Sequence, residues 1–368
     1  MPYQFFTSES VCAGHPDKLS DQVSDSIVDA VLAQDPYAHL GVETAVSENR
    51  LILLGEVKTS AKVDYVQVAR DEIKRLGYTD PALGFSDQAN VECYIAQQSS
   101  EIAQGVDPGG AGDQGMMFGY ACRETPELMP LPITLAHQLT KALDDARETK
   151  MLSYLLPDGK AQVTVRYADD KPVEVTHVTM AVPHRDIVTL VQVKADLLKQ
   201  VIGPVLDRYQ FSVTPAQVVV NGTGVWHNPG PKSDAGLTGR KIVVDTYGGY
   251  ARVGGGAFSG KCPTKVDRSG AYAARFLAKN IVHHGLADRA EVALAYYIGA
   301  IHPVMQEVET FGTGKASAKE LQAFMNKILD TSVAGITKAF DLRRPIYRRT
   351  AAYGHFGNPD YPWEKLTT

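Results

Sequence analysis

A glycine-dense, cationic segment at residues 236–269 holds the residue types best suited to bind a polyphosphate. Its sequence is GLTGRKIVVDTYGGYARVGGGAFSGKCPTKVDRS. Glycines let backbone N–H groups approach an anion closely, and lysine and arginine neutralise its charge. The β-branched run at 242–246 predicts a strand, followed by a glycine loop and then a helix, an order typical of phosphate sites. Five cations flank or interrupt the loop: Arg240, Lys241, Arg252, Lys261 and Lys265.

Within this segment, residues 255–261 (GGAFSGK) have the spacing of a P-loop up to its lysine. The next residue should be Ser or Thr to hold magnesium, but it is Cys262. Pro263 prevents a helix from continuing directly out of the loop. The sequence therefore disfavours a P-loop phosphotransferase, which would release ADP. A basic surface loop without a ligand stays open, although cations inside the loop weaken that alternative.

Composition sets limits on the class of protein. A chain of 368 residues predicts two or three domains, with 44% apolar and 21% charged residues. A net charge of −5 argues against a general nucleic-acid binder. The apolar runs are too short to span a bilayer, and the N-terminus lacks signal-peptide features. Four cysteines without CxxC spacing favour free thiols in a reducing cytoplasm over disulfides or zinc.

The first predicted helix places two chemically useful side chains at its start. Apolar residues recur every four positions from Leu19 to Val31 and predict an amphipathic helix over 17–34. His15 and Asp17 then lie at a helix N-terminus, where the helix dipole favours anions. The alternatives are a capping histidine and an ordinary helix-start acid.

Two acids fall inside predicted strands, Glu43 in 39–46 and Glu56 in 50–59. Burying a carboxylate requires a cation or a hydrogen-bond donor. Either each acid has such a partner, or each faces solvent.

The rest of the chain alternates strands with helices. Further strands are predicted at 5–10, 91–96, 160–167, 173–180, 217–221 and 292–301, and further helices at 63–77, 134–148, 187–202, 271–283, 318–329 and 332–340. Residues 97–115 are polar and glycine-rich and predict a lid, with a plain linker as the alternative. Trp226 could stack on a base or cover a core edge. The pattern predicts an α+β or α/β protein with several sheets.

Six motifs, in order along nearly the whole chain, resemble the S-adenosylmethionine synthetase (methionine adenosyltransferase) family. They are GHPDK at 14–18, GAGDQG at 110–115, GLTGRKIVVDTYGG at 236–249, GGGAFSGK at 254–261, KVDRS at 265–269 and TAAYGHFG at 350–357. The resemblance implies an α+β fold of three similar βα domains around a pseudo-threefold axis. The sequence blocks would be 2–101, 110–227 and 228–365, with segments exchanged between domains in space.

The resemblance also implies a reaction. The methionine sulfur attacks C5′ of ATP and expels tripolyphosphate, which is then hydrolysed to phosphate and diphosphate. Such a leaving group explains the cation cluster, because developing charge needs electrostatic stabilisation. The family implies two Mg²⁺ and one K⁺ per site, and a homodimer or homotetramer with active sites between subunits. The alternative function is a non-catalytic regulatory subunit of a synthetase.

Site residues follow from the resemblance position by position. The catalytic set is His15, Lys160, Arg240 and Lys261. The ATP-binding set is His15, Asp158, Lys160, Trp226, Asp234, Arg240, Lys241, Ala257 and Lys261. The methionine-binding set is Glu56, Gln98, Asp113, Asp234 and Lys265. The metal ligands are Asp17 and Asp267 for magnesium and Glu43 for potassium.

Three departures from the family pattern motivate the regulatory alternative. Cys262 replaces the usual aspartate and removes a charge near the expected phosphate cradle. Val225 and Trp226 stand where some bacterial members have Arg and Phe, so Trp226 can still stack on adenine. The segment 106–110 of the expected gating loop is shorter than in common bacterial members. Against that alternative, the expected magnesium acids and phosphate cations are all present.

Overall fold

The computed structural model describes residues 4–97 and 109–368. Within those ranges the strands are β1 (Phe5–Val11), β2 (His39–Ser47), β3 (Arg50–Lys58), β4 (Asn90–Gln97), β5 (Gly115–Cys122), β6 (Lys160–Ala168), β7 (Lys171–Ala181), β8 (Val218–Val220), β9 (Gly236–Leu237), β10 (Arg289–Tyr296) and β11 (Met305–Glu309). The α-helices are α1 (Pro16–Leu32), α2 (Tyr65–Arg75), α3 (Leu131–Glu148), α4 (Leu190–Leu197), α5 (Gly203–Arg208), α6 (Ile242–Asp245), α7 (Val266–His283), α8 (Ala318–Ile328) and α9 (Val333–Ala339).

These strands form three small sheets that exchange strands in a cycle. The sheet orders are β4-β3-β2-β9, β1-β6-β7-β8 and β11-β10-β5. Strand β1, from the start of the chain, pairs with β6 of the central segment, and β5 pairs with β10 near the C-terminus. Strand β9 returns to pair with β2. Each third of the chain therefore completes the sheet of another third, in a mixed α+β fold with several sheets, as the sequence predicts.

Helices cover one face of each sheet and bury the core there. Helix α1 packs on β2, α3 packs on β1 and β6, and α7 packs on β5 and β10. Along β2 the side chains alternate, with Leu40, Val42 and Val46 buried beneath the helices. The outer face of that strand is therefore available to other groups. Within the described ranges, no helix is both long and apolar enough to cross a membrane.

Most predicted elements are confirmed, but the predicted strand at 242–246 is wrong. These residues form the single helical turn α6, in which the Asp245 N–H donates to the Lys241 carbonyl at 2.8 Å. The Asp245 side chain is buried and its Oδ1 accepts from Lys18 Nζ at 2.5 Å. A β-branched run favours a strand, but β propensity is weak enough that a buried partner of this kind overrides it.

Other boundaries also differ from prediction. The helix expected over 187–202 begins at Leu190, after the Thr189 cap, and continues through a π-helical stretch to Arg208. The strand expected over 292–301 ends at Tyr296. Strands β5, β9 and β11 were not predicted, because β9 is only two residues long and β5 lies in a glycine- and methionine-containing run.

Candidate active site

His15 caps α1, as the capping alternative for this residue predicts. Its Nδ1 accepts a hydrogen bond from the Asp17 N–H at 3.1 Å, and the side chain is buried. Burial, together with the charges of Lys241, Lys160, Lys18 and Arg240, lowers the pKa of His15 to about 2. The ring is therefore neutral, and because Nδ1 is an acceptor, the proton lies on Nε2.

Asp17, on the first turn of α1, gathers two cations from the loop that follows β9. Its Oδ2 lies 2.5 Å from Lys241 Nζ, and its Oδ1 lies 3.4 Å from Arg240 Nε. Oδ1 also accepts from the Leu237 N–H at 3.0 Å. Residues 236–241, which are β9 and the loop that follows it, are hereafter called the Arg240 loop. The fold thus joins His15, Asp17, Arg240 and Lys241, which the sequence predicts to share a site, and places Lys160 within electrostatic reach of His15.

A second ion pair lies in the segment 254–268, hereafter called the Lys261 loop. Lys261 Nζ is 2.6 Å from Asp267 Oδ2, at the start of α7. A Cβ on Gly256 would lie 2.2 Å from Asp267 Cγ, so a larger residue there would displace the Asp267 carboxylate. The two loops touch, because a Cβ on Gly239 would lie 2.5 Å from the Cβ of Ala257. Ala257 therefore lies where the two cationic loops meet.

Asp113 follows a glycine, Gly112, that packs against Lys265 of the Lys261 loop. The Gly112 N–H donates to the Thr264 carbonyl at 2.9 Å, and a Cβ on Gly112 would lie 3.3 Å from the Lys265 side chain. Both Asp113 and Lys265 are half-buried.

The two strand acids differ in exposure. Glu43 on β2 is exposed, and Glu56 on β3 is half-buried. Glu56 pairs across the strands with Gly41, which forms an isolated bridge with Lys261. Glu56 is therefore close to the Lys261 loop in the fold, whereas the solvent-facing alternative describes Glu43.

Both carboxylate oxygens of Asp158 accept hydrogen bonds from backbone N–H groups. It is buried, with Oδ1 accepting from the Gly159 N–H at 2.6 Å and Oδ2 from the Gly230 N–H at 2.9 Å. Burial raises the pKa of Asp158 to about 7, although those N–H groups oppose the shift. The Asp234 N–H donates to the Gly230 carbonyl at 3.2 Å, so Asp158 fastens the turn that leads to the exposed Asp234.

Trp226 is half-buried and is not part of the core. Its Nε1 donates to the Asn228 carbonyl at 2.7 Å. It lines a groove of about 330 Å³ together with Thr179 and Asn221, at the end of β7 and β8. This groove shares no lining residue with the two ion-pair loops.

The predictions for Gln98 and the lid cannot be compared with the structure, whereas the position of Cys262 can. Gln98 lies outside the described residues, as does most of the predicted lid at 97–115. Cys262 is fully buried: its Sγ accepts from the Leu40 N–H of β2 at 3.4 Å and lies 3.3 Å from Thr264 Oγ1. The thiol is therefore part of the contact between the Lys261 loop and β2.

Sequence reasoning missed three acids on α1 that organise this region. Asp21 and Asp25 are fully buried, and Asp29 is partly buried. Each accepts backbone N–H groups from a distant segment. The available signal was their regular four-residue spacing after Asp17.

Comparison with known families accounts for almost the whole chain. Three family models match in order: S-adenosylmethionine synthetase, N-terminal domain, at residues 3–100; its central domain at 108–226; and its C-terminal domain at 229–365. These matches define a transferase of S-adenosylmethionine biosynthesis. The chain belongs to the S-adenosylmethionine synthetase family. Its activity is that of a methionine adenosyltransferase, with ATP and methionine as substrates, and the family implies dependence on a divalent metal and on potassium.

Proposed function

We propose that the protein transfers adenosyl to methionine by direct displacement and then cleaves the tripolyphosphate that leaves. The methionine sulfur donates a lone pair to C5′ of ATP, and the C5′–O bond breaks with its electrons passing to the bridging oxygen. The tripolyphosphate is hydrolysed to phosphate and diphosphate before release. The observation that carries this proposal is a buried, neutral His15 beside Arg240, Lys241 and Lys160 at one helix N-terminus.

His15 acts in this scheme as a hydrogen-bond donor. With Nδ1 held by the Asp17 N–H, Nε2–H can donate to the bridging oxygen as negative charge develops on it. Its low pKa argues against a proton-transfer role for the imidazolium. Lys160, Arg240 and Lys261 supply the fixed positive charge that stabilises the departing polyphosphate.

ATP and methionine are assigned around these residues. Lys241 and Ala257 contact the polyphosphate, Trp226 stacks on adenine, and Asp158 holds the turn that brings Asp234 to the adenosine. Methionine lies near the Lys261 loop, an assignment supported by the strand pairing of Glu56 with Gly41 and by the contact between Lys265 and Gly112, which precedes Asp113. Gln98 completes that set from outside the described residues. Glu56 binds the methionine ammonium.

Asp17 and Asp267 would hold two magnesium ions, and Glu43 one potassium ion. Magnesium is usually bound through one or two carboxylates plus substrate phosphates and water. The described residues contain no group of three or more potential ligands, which fits that mode of binding. Each magnesium acid lies against a lysine, at 2.5 Å for Asp17 and 2.6 Å for Asp267, where a polyphosphate would bring its oxygens. When bound, the metal would neutralise phosphate charge.

We also propose a homodimer or homotetramer in the cytoplasm, with active sites between subunits and no nucleic-acid or membrane partner. Leu54 and Tyr94 are paired across β3 and β4 and are both exposed, which supports an apolar contact on that sheet face. The free thiols of all four cysteines suit a reducing compartment. The sequence blocks 2–101, 110–227 and 228–365 are offered as domains of the sequence, since β1, β5 and β9 each pair in the sheet of another block.

The test is incubation of the purified chain with ATP, methionine, Mg²⁺ and K⁺, with chromatography of the products. We expect S-adenosylmethionine with equal phosphate and diphosphate. Substituting His15→Ala should lower kcat by about 10²–10³, the usual cost of removing one such donor. Accumulated tripolyphosphate would contradict the second step. ATP binding without any adenosylated product would favour the regulatory subunit, and unchanged kcat in His15→Ala would remove His15 from the mechanism.

A further inference from the structure

Four aspartates form a stripe along α1 at positions 17, 21, 25 and 29. Residues four apart lie on the same face of a helix. Each of these carboxylates accepts backbone N–H groups from a segment more than two hundred residues away: Leu237 for Asp17, Gly239 for Asp21, Gly260 for Asp25, and Tyr347 with Arg348 for Asp29.

The second aspartate, Asp21, holds the residue immediately before Arg240. Its Oδ1 accepts from the Gly239 N–H at 2.8 Å, and its Oδ2 accepts from Lys18 Nζ at 2.9 Å. Gly239 has a φ of +79°, a backbone conformation that suits glycine. Asp21, which is fully buried, thus fixes the backbone immediately before Arg240 and with it the position of the Arg240 side chain.

The third aspartate, Asp25, repeats this arrangement one helical turn further on. Its Oδ1 accepts from the Gly260 N–H at 2.8 Å, and Gly260 immediately precedes Lys261. Gly260 has a φ of +81°, and a Cβ there would lie 1.9 Å from the Val42 carbonyl oxygen. Both carboxylate oxygens also bind the Arg268 guanidinium, at 2.7 and 2.6 Å.

We infer that Asp21 and Asp25 are positioning residues that act in the same way. Each accepts a hydrogen bond from the amide of a glycine with positive φ. The residue after that glycine, Arg240 or Lys261, is thereby held where its charge faces the polyphosphate. The inference rests on the proposed roles of Arg240 and Lys261. Both acceptor carboxylates lie on α1, so the Arg240 loop and the Lys261 loop are fixed relative to each other. Electrostatic stabilisation depends on such preorganisation.

Asp29 provides a matched control on the same helix. Its Oδ1 and Oδ2 accept from the Tyr347 and Arg348 N–H groups at 2.8 and 3.0 Å. It therefore also uses both carboxylate oxygens and binds a remote backbone segment, but both of its partners are backbone amides, and that segment carries none of the proposed phosphate cations. Replacing any of the three acids by asparagine leaves only one acceptor oxygen where two are used.

The experiment compares Asp21→Asn, Asp25→Asn and Asp29→Asn in the full-length protein. Thermal unfolding gives the stability of each, and calorimetric titration with inorganic tripolyphosphate and Mg²⁺ gives the affinity at a temperature where all are folded. We expect all three to lose stability. Affinity should fall about tenfold in Asp21→Asn and Asp25→Asn, the size expected for a lost charge-assisted hydrogen bond, but less than twofold in Asp29→Asn.

Equal affinities in Asp21→Asn and Asp29→Asn would overturn the inference, since the acids would then serve stability alone. If the asparagine variant at 21 or 25 does not fold, Asp21→Glu tests the inference instead. Glutamate keeps a negative charge for Lys18, but its side chain is longer by one methylene group and so moves the Gly239 amide. Wild-type affinity in Asp21→Glu would overturn the inference. Failure of the proposed function is recognised separately, by a wild-type protein that neither makes S-adenosylmethionine nor binds tripolyphosphate.

Discussion

The acids of α1 and the acids of the β2–β3 hairpin occupy opposite environments. Asp21 and Asp25 are fully buried and bind backbone amides and cations, whereas Glu43 is exposed and Glu56 is half-buried. A carboxylate buried with full partners supports the fold strongly, because removing a partner leaves an uncompensated charge or donor. An exposed carboxylate contributes little to stability and is available to a ligand. We therefore assign fold and positioning to Asp21 and Asp25 and ligand binding to the hairpin acids; Asp17, on the first turn of the same helix, keeps its proposed role as a magnesium ligand.

The largest expected effect concerns the buried helix acids. Asp25→Ala removes the partner of Arg268, whose side chain is itself fully buried. We expect a loss of about 3–5 kcal/mol in the free energy of unfolding, measured by urea denaturation. Glu43→Ala is the control and should change it by less than about 0.5 kcal/mol. Similar losses in the two variants would abolish the distinction between the helix and the hairpin.

A second prediction uses pH to compare two acids whose pKa is raised by burial, Asp158 and Asp29. Burial raises the pKa of Asp158 to about 7, from an ordinary value of 3.8. Between those values the folded state holds a proton that the unfolded state has lost, so stability falls as pH rises through this window. One such group contributes a slope of at most about 1.4 kcal/mol per pH unit. Asp158→Asn should therefore flatten the stability profile from about pH 4 to 7.

The control for this pH experiment is Asp29, whose pKa is raised to about 6 by burial. Asp29→Asn should flatten the profile only up to about pH 6, leaving the slope between 6 and 7 as in the wild type. Differential scanning calorimetry at matched ionic strength measures both. A slope in Asp158→Asn that equals the wild-type slope would mean that Asp158 is ionised in the fold.

A third prediction concerns the buried thiol of Cys262, which we expect to stabilise the fold less than the buried helix acids do. Cys262→Ala removes the acceptor for the Leu40 N–H, and we expect a loss of about 1 kcal/mol in the free energy of unfolding. Cys262→Ser keeps an acceptor and is the control. Because the thiol packs against β2, the ratio of phosphate to diphosphate should stay at one in both variants. Accumulation of tripolyphosphate in Cys262→Ala would instead place this residue in hydrolysis.

The sequence predicted most elements because apolar periodicity reports which face of an element packs against apolar neighbours. It identified α1 from the spacing of residues 19 to 31. The same periodicity cannot tell whether a polar stripe meets water or another part of the chain. Asp21 and Asp25 thus escaped prediction, since their partners Gly239 and Gly260 are remote in sequence. The helical turn at 242–245 was missed for the same reason, because its partner Lys18 lies on α1.

The motifs assign His15, Asp17 and Lys241 to one site, and the fold brings these three residues together. The motif did not reveal how each is held. Asp158 was assigned to ATP, yet both its oxygens bind backbone amides, a role that depends on the remote Gly230. A motif therefore indicates which side chains lie together, as for His15, Asp17 and Lys241, but not which remote backbone groups hold them.

The smallest effect on stability should come with a clear effect on function. Glu43→Gln and Glu56→Gln remove charge from the hairpin, and each should change the free energy of unfolding by less than about 0.5 kcal/mol. Glu56→Gln should raise the KM for methionine about tenfold, because the substitution weakens a charge-assisted hydrogen bond between residue 56 and the ammonium group of methionine. Glu43→Gln should leave that KM unchanged and raise the potassium concentration needed for half-maximal activation. Each variant serves as the control of the other. Loss of stability without these separate kinetic effects would place the hairpin acids with the helix acids, as supports of the fold.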